Sequence, residues 1–185
     1  MKTTCRLFIL LAMSVNMLAG CDLNTHFREG GLKYEYDTEW AAAYYYGSSS
    51  DAGVVQYRLT LVVGRTDDNN DLTSYGSKAS LVLRAPLLPD VELPEGLYGQ
   101  SGDYTLNCGA DSAGPDNDEC SYVEVVPMGS DSSIRYPVEG GSLEVEVGPD
   151  GDYEIKAVLK ASECEFEYEY EGPLDTYDLS GMRLL

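Results

Sequence analysis

Apolar and polar residues alternate with a period of two along most of this chain. Val55, Tyr57, Leu59, Leu61 and Val63 are separated by Gln56, Arg58, Thr60 and Val62. Leu143, Val145 and Val147 alternate with Glu144 and Glu146, and Tyr153, Ile155, Ala157 and Leu159 with Glu154, Lys156, Val158 and Lys160. Cys164, Phe166, Tyr168 and Tyr170 alternate with Glu163, Glu165, Glu167, Glu169 and Glu171. Successive side chains of a strand point to opposite faces, so these are strands with one face in a core and one in water. Further strands are predicted over 38–46, 79–85, 103–108, 120–126 and 133–138. No window carries a helical period. The chain therefore reads as all-β, with about nine short strands between Gly-, Asp- and Pro-rich turns, arranged as an antiparallel β-sandwich of Ig-like or related Greek-key or meander type. Parallel sheets would need crossover helices, and the pattern offers none.

Parity fixes the expected register of the last strands. Val147 and Tyr153 must share the core face, which suits a three-residue turn at Pro149-Asp150-Gly151 with glycine in the left-handed position. Glu144 then faces Lys156, and Glu146 faces Glu154. For the next hairpin, inward Leu159 and Cys164 require an even count; Ala161-Ser162 as the turn places Lys160 against Glu163 and Lys156 against Glu167. Each such exposed pair is worth only about 0.2–1 kcal/mol, so it sets register rather than stability.

The amino terminus breaks the alternation. Lys2 and Arg6 precede a mostly apolar stretch from Leu7 to Met17, and Leu18-Ala19-Gly20-Cys21 closes it as a lipobox. The apolar stretch is shorter than the roughly 20 residues a bilayer span needs. Residues 1–20 are therefore expected to be a cleaved signal peptide, with Cys21 lipidated and anchored in the membrane. Residues 21–33 are expected as a spacer ending near Gly30-Gly31, and 34–185 as one sandwich domain. The expected location is the cell envelope, on a lipid anchor in the outer membrane, with the periplasmic and surface sides both open.

Charge narrows the partners. The chain holds 32 Asp and Glu against 12 Lys and Arg, a net charge of −20, and Lys2 and Arg6 belong to the leader. A protein so acidic repels nucleic acid, so no nucleic-acid partner is expected. The charge is no mark of disorder, because apolar residues and 15 Tyr recur through the long alternating stretches.

With Cys21 lipidated, Cys108, Cys120 and Cys164 remain. Cys108 and Cys120 bracket an obvious loop, and a disulfide between them would be worth up to about 3 kcal/mol in the chain-entropy model. Cys164 is expected as an unpaired, inward-facing thiol that packs as a small apolar group. Within the bracketed loop Asp111, Asp116, Asn117, Asp118 and Glu119 offer the hard oxygen ligands calcium takes, but without the spacing of an EF-hand. A solvated turn is the plainer reading, so no cofactor is assigned beyond that calcium option, and no metal site. Asp67-Asp68-Asn69-Asn70-Asp71 reads as a hairpin tip. The glutamates of 163–171 have the look of a cation-binding ladder or of a docking strip for a basic partner, yet the wet face of one strand explains them, and such charges also block edge-to-edge aggregation.

Tyrosine outnumbers phenylalanine 15 to 3, and Trp40, Tyr44, Tyr45 and Tyr46 fall on one predicted strand. Amphipathic aromatics make a platform for sugars, although tyrosine is also an ordinary strand former. Catalysis is not expected. The sole histidine, His26, lies in the expected spacer, so a Ser–His or Cys–His pair lacks a base. Neither a phosphate-binding glycine loop nor a zinc motif is present.

The lipobox, Leu93-Pro94-Glu95-Gly96-Leu97-Tyr98, Gly140-Gly141-Ser142 leading into Leu143–Val147, Gly151-Asp152-Tyr153-Glu154-Ile155 and Tyr170-Glu171-Gly172-Pro173-Leu174 together resemble a group of small Bacteroides-type lipoproteins. That resemblance implies a β-sandwich and no assigned catalytic residues. Gln100–Asp103 and the cysteine-bracketed loop depart from it. The expected function is a non-enzymatic, lipid-anchored module that binds a polysaccharide or a surface protein, with a structural or adhesive role in a surface fibre as the alternative.

Overall fold

The structure is a computed structural model, and it describes residues 24–28, 31–48, 53–67, 71–89, 91–99, 102–108, 120–130 and 132–181, with side chains from Leu32 onward. The leader, Cys21 and the candidate calcium residues Asp111, Asp116, Asn117, Asp118 and Glu119 lie outside the described residues.

Two sheets pack face to face as an all-β sandwich, as the alternation requires. The strands are β1 (Asn24–Arg28), β2 (Gly31–Asp37), β3 (Trp40–Ser48), β4 (Val54–Val63), β5 (Gly76–Pro86), β6 (Gly96–Gly99), β7 (Thr105–Leu106), β8 (Tyr122–Val126), β9 (Ile134–Pro137), β10 (Gly140–Val147), β11 (Tyr153–Ala161), β12 (Cys164–Gly172) and β13 (Asp175–Asp178). The first sheet runs β1-β2-β12-β11-β10-β6; the second runs β13-β3-β4-β5-β8-β9, with β7 also on β5. The nine expected strands are present, although only Thr105–Leu106 pairs within the one expected over 103–108. The sequence pattern missed β1, β2, β6 and β13. Within the stretch expected as a spacer, β1 and the start of β2 pair as a hairpin.

Most pairs are antiparallel, but β2–β12 and β3–β13 are parallel. These partners lie at opposite ends of the chain, so no crossover helix is needed. The N-terminal β2–β3 corner and the C-terminal β12–β13 corner each cross from the first sheet to the second, side by side. Alternation fills the space between the sheets: Val55, Tyr57, Leu59 and Leu61 from β4 meet Leu143, Val145, Ile155, Leu159, Phe166 and Tyr168 from the facing sheet.

The β10–β11 register is the expected one, with Glu144 against Lys156 and Glu146 against Glu154. Gly148 and Asp152 close the turn around Pro149-Asp150-Gly151, with Gly151 at φ 87°. At β11–β12 the parity holds but the register is offset by two: Lys160 faces Glu165 and Lys156 faces Glu169. The turn there is Ser162-Glu163, because Ser162 itself adopts the left-handed φ of 56°.

Tyrosine hydroxyls do specific work inside the sandwich. Tyr57, Tyr153 and Tyr98 donate to the successive carbonyls of Glu92, Leu93 and Pro94 at 3.0, 3.4 and 2.7 Å. This holds Leu93, itself buried, as a plug at one end of the core. Burial pushes the Tyr57 hydroxyl up to about 12 and raises those of Tyr98 and Tyr153, so all three stay protonated donors. Glu95 accepts the Val147 amide at 2.9 Å and ties the same segment to β10. Toward the other end, Ser77 of β5 meets the Tyr168 hydroxyl of β12 at 2.5 Å and joins the two sheets by a buried hydrogen bond.

Candidate binding face

The aromatic run on β3 divides between the two faces of its sheet. Ala41, Ala43 and Tyr45 turn inward, and the Tyr45 ring tilts against Tyr57 with centroids 5.3 Å apart. Trp40, Ala42 and Tyr44 therefore point outward. Tyr46 stands where the β3–β4 register shifts, between Tyr45 and Gly47. Of the four residues expected to form one platform, Trp40 and Tyr44 share the outer face, while Tyr45 belongs to the core.

A different tyrosine completes the surface. The parallel pairing sets Tyr177 of β13 directly beside Tyr44, and the two rings stack with centroids 5.3 Å apart and planes 19° apart. Tyr177 is 46% exposed. Nothing local in the sequence announces this partner, which comes from the far end of the chain.

Register lays out the rest of the outer face. Ala42, Thr60, Ser80 and Tyr122 form one cross-strand row over β3, β4, β5 and β8. The first three are small and buried. On one side runs Tyr177, Tyr44, Arg58, Val82; on the other run Trp40, Val62, Lys78, Glu124 and Arg135. The Arg135 guanidinium lies over the Tyr122 ring, 4.8 Å from its centroid.

Glu124 anchors the charges of that second row. Its carboxylate reaches Lys78 at 3.2 Å and Arg135 at 3.4 Å, and Lys78 also reaches Asp71 at 3.4 Å. Burial alone would raise the Glu124 carboxyl, but Ser133, Lys78 and Arg135 together hold it below the usual carboxylate range. Asp71 sits at the base of the expected hairpin tip, where the Asp67 and Asp71 backbones bond at 2.9 Å.

The outer face of the first sheet is opposite in character. Glu165, Glu167, Glu169 and Glu171 line β12, with Glu154 on β11 and Glu144 and Glu146 on β10, against Lys33, Lys156 and Lys160. Lys33 bonds Glu35 and Glu167, each at 2.7 Å. The glutamates are thus the wet face of a strand, as alternation predicts.

Cys108 and Cys120 are separate thiols in this structure rather than the expected bridge. The spacing fixes loop closure but not the covalent bond, and the loop ends do meet. Asn107 donates its amide to the Val82 carbonyl at 2.8 Å, and the Val82 amide donates to Ser121 Oγ at 2.9 Å. One residue of β5 therefore holds both neighbours of the cysteines. Burial, with Cys120 nearby, raises the Cys108 thiol. Cys164 is a third unbonded thiol, partly buried against the core. Among the described residues, no three His, Cys, Asp or Glu side chains gather as a metal site, and no helix is long and apolar enough to cross a membrane. No family model, curated protein or solved structure matches the chain.

Proposed function

We propose that this chain is a non-enzymatic binding module of the cell envelope, tethered to the outer membrane through a lipid on Cys21, and that it holds a polysaccharide on the outer face of its second sheet. The observation that carries this reading is the stacked Tyr44–Tyr177 pair, with Trp40 on the same face. Such rings offer flat apolar area with a polar rim, which complements the C–H face and hydroxyls of a sugar. They stand on paired strands, Trp40 and Tyr44 on β3 and Tyr177 on the edge strand β13, rather than on loops, which fixes their spacing. In an oxidising envelope, Cys108 and Cys120 would close the 109–119 excursion as a disulfide, passing two electrons and two protons to a thiol–disulfide oxidoreductase of that compartment.

The test is a glycan array probed with the full chain purified in non-ionic detergent. Capture of a glycan is expected, and Trp40→Ala, Tyr44→Ala and Tyr177→Ala should each weaken it about tenfold or more with little change in melting temperature. Absence of any glycan capture, or variants that bind like the parent, refutes the reading.

A further inference from the structure

The distribution of charge over the two sheets specifies the ligand more closely, on the premise that the outer face of the second sheet is the binding face. Cations are scarce in this chain, 12 against 32 acids. Yet the outer strand positions of that one face hold Arg58, Lys78, Arg84 and Arg135 against Glu124 and Asp175. Lys78 and Arg135 converge on Glu124. Arg58 and Arg84 lie elsewhere, in the part of the face that holds the tyrosine stack. Arg58 pairs directly with Tyr44 across β3–β4. Arg84 is its diagonal neighbour on β5, since Arg58 faces Val82 and Gln56 faces Arg84. Diagonal positions of this kind are about 7–8 Å apart, within common reach of two arginine side chains. The Arg84 Nε is buried and makes no hydrogen bond.

The overall negative charge does not cancel this patch. The carboxylates of the first sheet stand on its far surface, beyond a sandwich whose sheets are about 10 Å apart. Those carboxylates are solvent-exposed and lie more than one screening length of about 8 Å away at physiological ionic strength, so salt weakens their effect on a ligand at the second face. Arginine also has the planar fork that matches carboxylate and sulfate oxygens in pairs.

We infer that the ligand is an acidic glycan, a polymer whose sugar rings carry carboxylate or sulfate groups: a ring lies against Tyr44 and Tyr177 while its anion meets Arg58 and Arg84. Because both anions satisfy the same fork, the experiment includes one polymer of each kind. The full chain in non-ionic detergent is offered to immobilised polygalacturonate, dextran sulfate and neutral dextran, at low and at high salt. Binding of one or both acidic polymers at least tenfold tighter than dextran is expected, with a clear loss at high salt. The Arg58→Gln/Arg84→Gln double variant, checked for folding by its melting temperature, should lose tenfold or more toward the acidic polymer while its weak dextran binding is kept.

Equal binding of dextran, or a double variant that binds acidic polymer like the parent, overturns this inference while leaving the glycan-binding reading intact. No binding to any polymer, together with an empty array, defeats both. Concentration-dependent sedimentation of the chain that disappears in the double variant would assign the patch to the acidic face of a second copy, and also overturns the inference.

Discussion

Replacing Glu124 by glutamine tests whether the buried charge row is held by that single carboxylate. Glu124 and Lys78 each expose only 6% of their side chains, so the substitution leaves the Lys78 ammonium in a poorly hydrated place. Removing one partner of a buried pair typically costs about 3–5 kcal/mol. Two features lower that figure here. Asp71, 61% exposed, still reaches Lys78 at 3.4 Å, and Arg135, 37% exposed, can turn toward water. About 2–3 kcal/mol is therefore expected, a large share of the roughly 5–15 kcal/mol that stabilises a domain. The companion variant, Lys78→Met with Glu124→Leu, removes both charges at similar volume and should recover to within about 1 kcal/mol of the parent.

The same carboxylate sets a pH dependence. Its folded-state pKa lies below the ordinary value, so its contribution is complete above the unfolded pKa and disappears as pH falls through the folded one. Equilibrium urea unfolding at neutral pH and across the acid range measures both effects. Glu124 does not hold the row if Glu124→Gln costs no more than the surface control Glu144→Gln, or if the double variant is less stable than the single one. Glu124→Gln should also flatten the acid limb of the stability curve relative to the parent.

Three further outcomes are expected. Tyr98→Phe removes the donor to the Pro94 carbonyl at 2.7 Å and should cost about 1–2 kcal/mol in urea unfolding; a neutral result would show that the plug is not held by its hydroxyl clamp. Gly141→Ala adds a methyl against the Val158 carbonyl oxygen at a backbone φ of 133° and should cost at least about 2 kcal/mol or abolish folding; wild-type stability would contradict the close approach of β10 to β11. Intact mass of protein taken from the envelope without reductant should be two hydrogens below the reduced value, with the Cys108 and Cys120 peptides joined; two free thiols in that sample would exclude the bridge.

What could be read from the sequence was whatever alternation and turn chemistry determine locally. Parity around Pro149-Asp150-Gly151 was enough to pair Glu144 with Lys156. The following hairpin was offset because Ser162 takes a left-handed backbone that usually calls for Gly, Asn or Asp, leaving no mark at the turn. β13 is only four residues long and its partner lies at the opposite end of the chain, so a local window does not reveal it, whereas β2 does alternate, Leu32, Tyr34 and Tyr36 against Lys33, Glu35 and Asp37, but overlaps the stretch expected as a spacer. The candidate face was legible in the same partial way. Trp40 and Tyr44 were marked by composition, and two-residue periodicity alone removes Tyr45 from their face. Tyr177 and the arginine pair could be added only once the order of β13, β3, β4 and β5 was known.

The two parallel pairs also impose an order of events on folding. β3 is flanked on one side only until β13 arrives, and β2 likewise awaits β12, so neither corner can close on a partial chain. Contacts between such remote segments form late and slow the search for the native state. A chain emerging amino end first thus carries, for most of its passage, an unfilled strand edge beside Tyr44 that invites wrong partners. A holdase would find its target there, on the very face that afterwards stacks Tyr177.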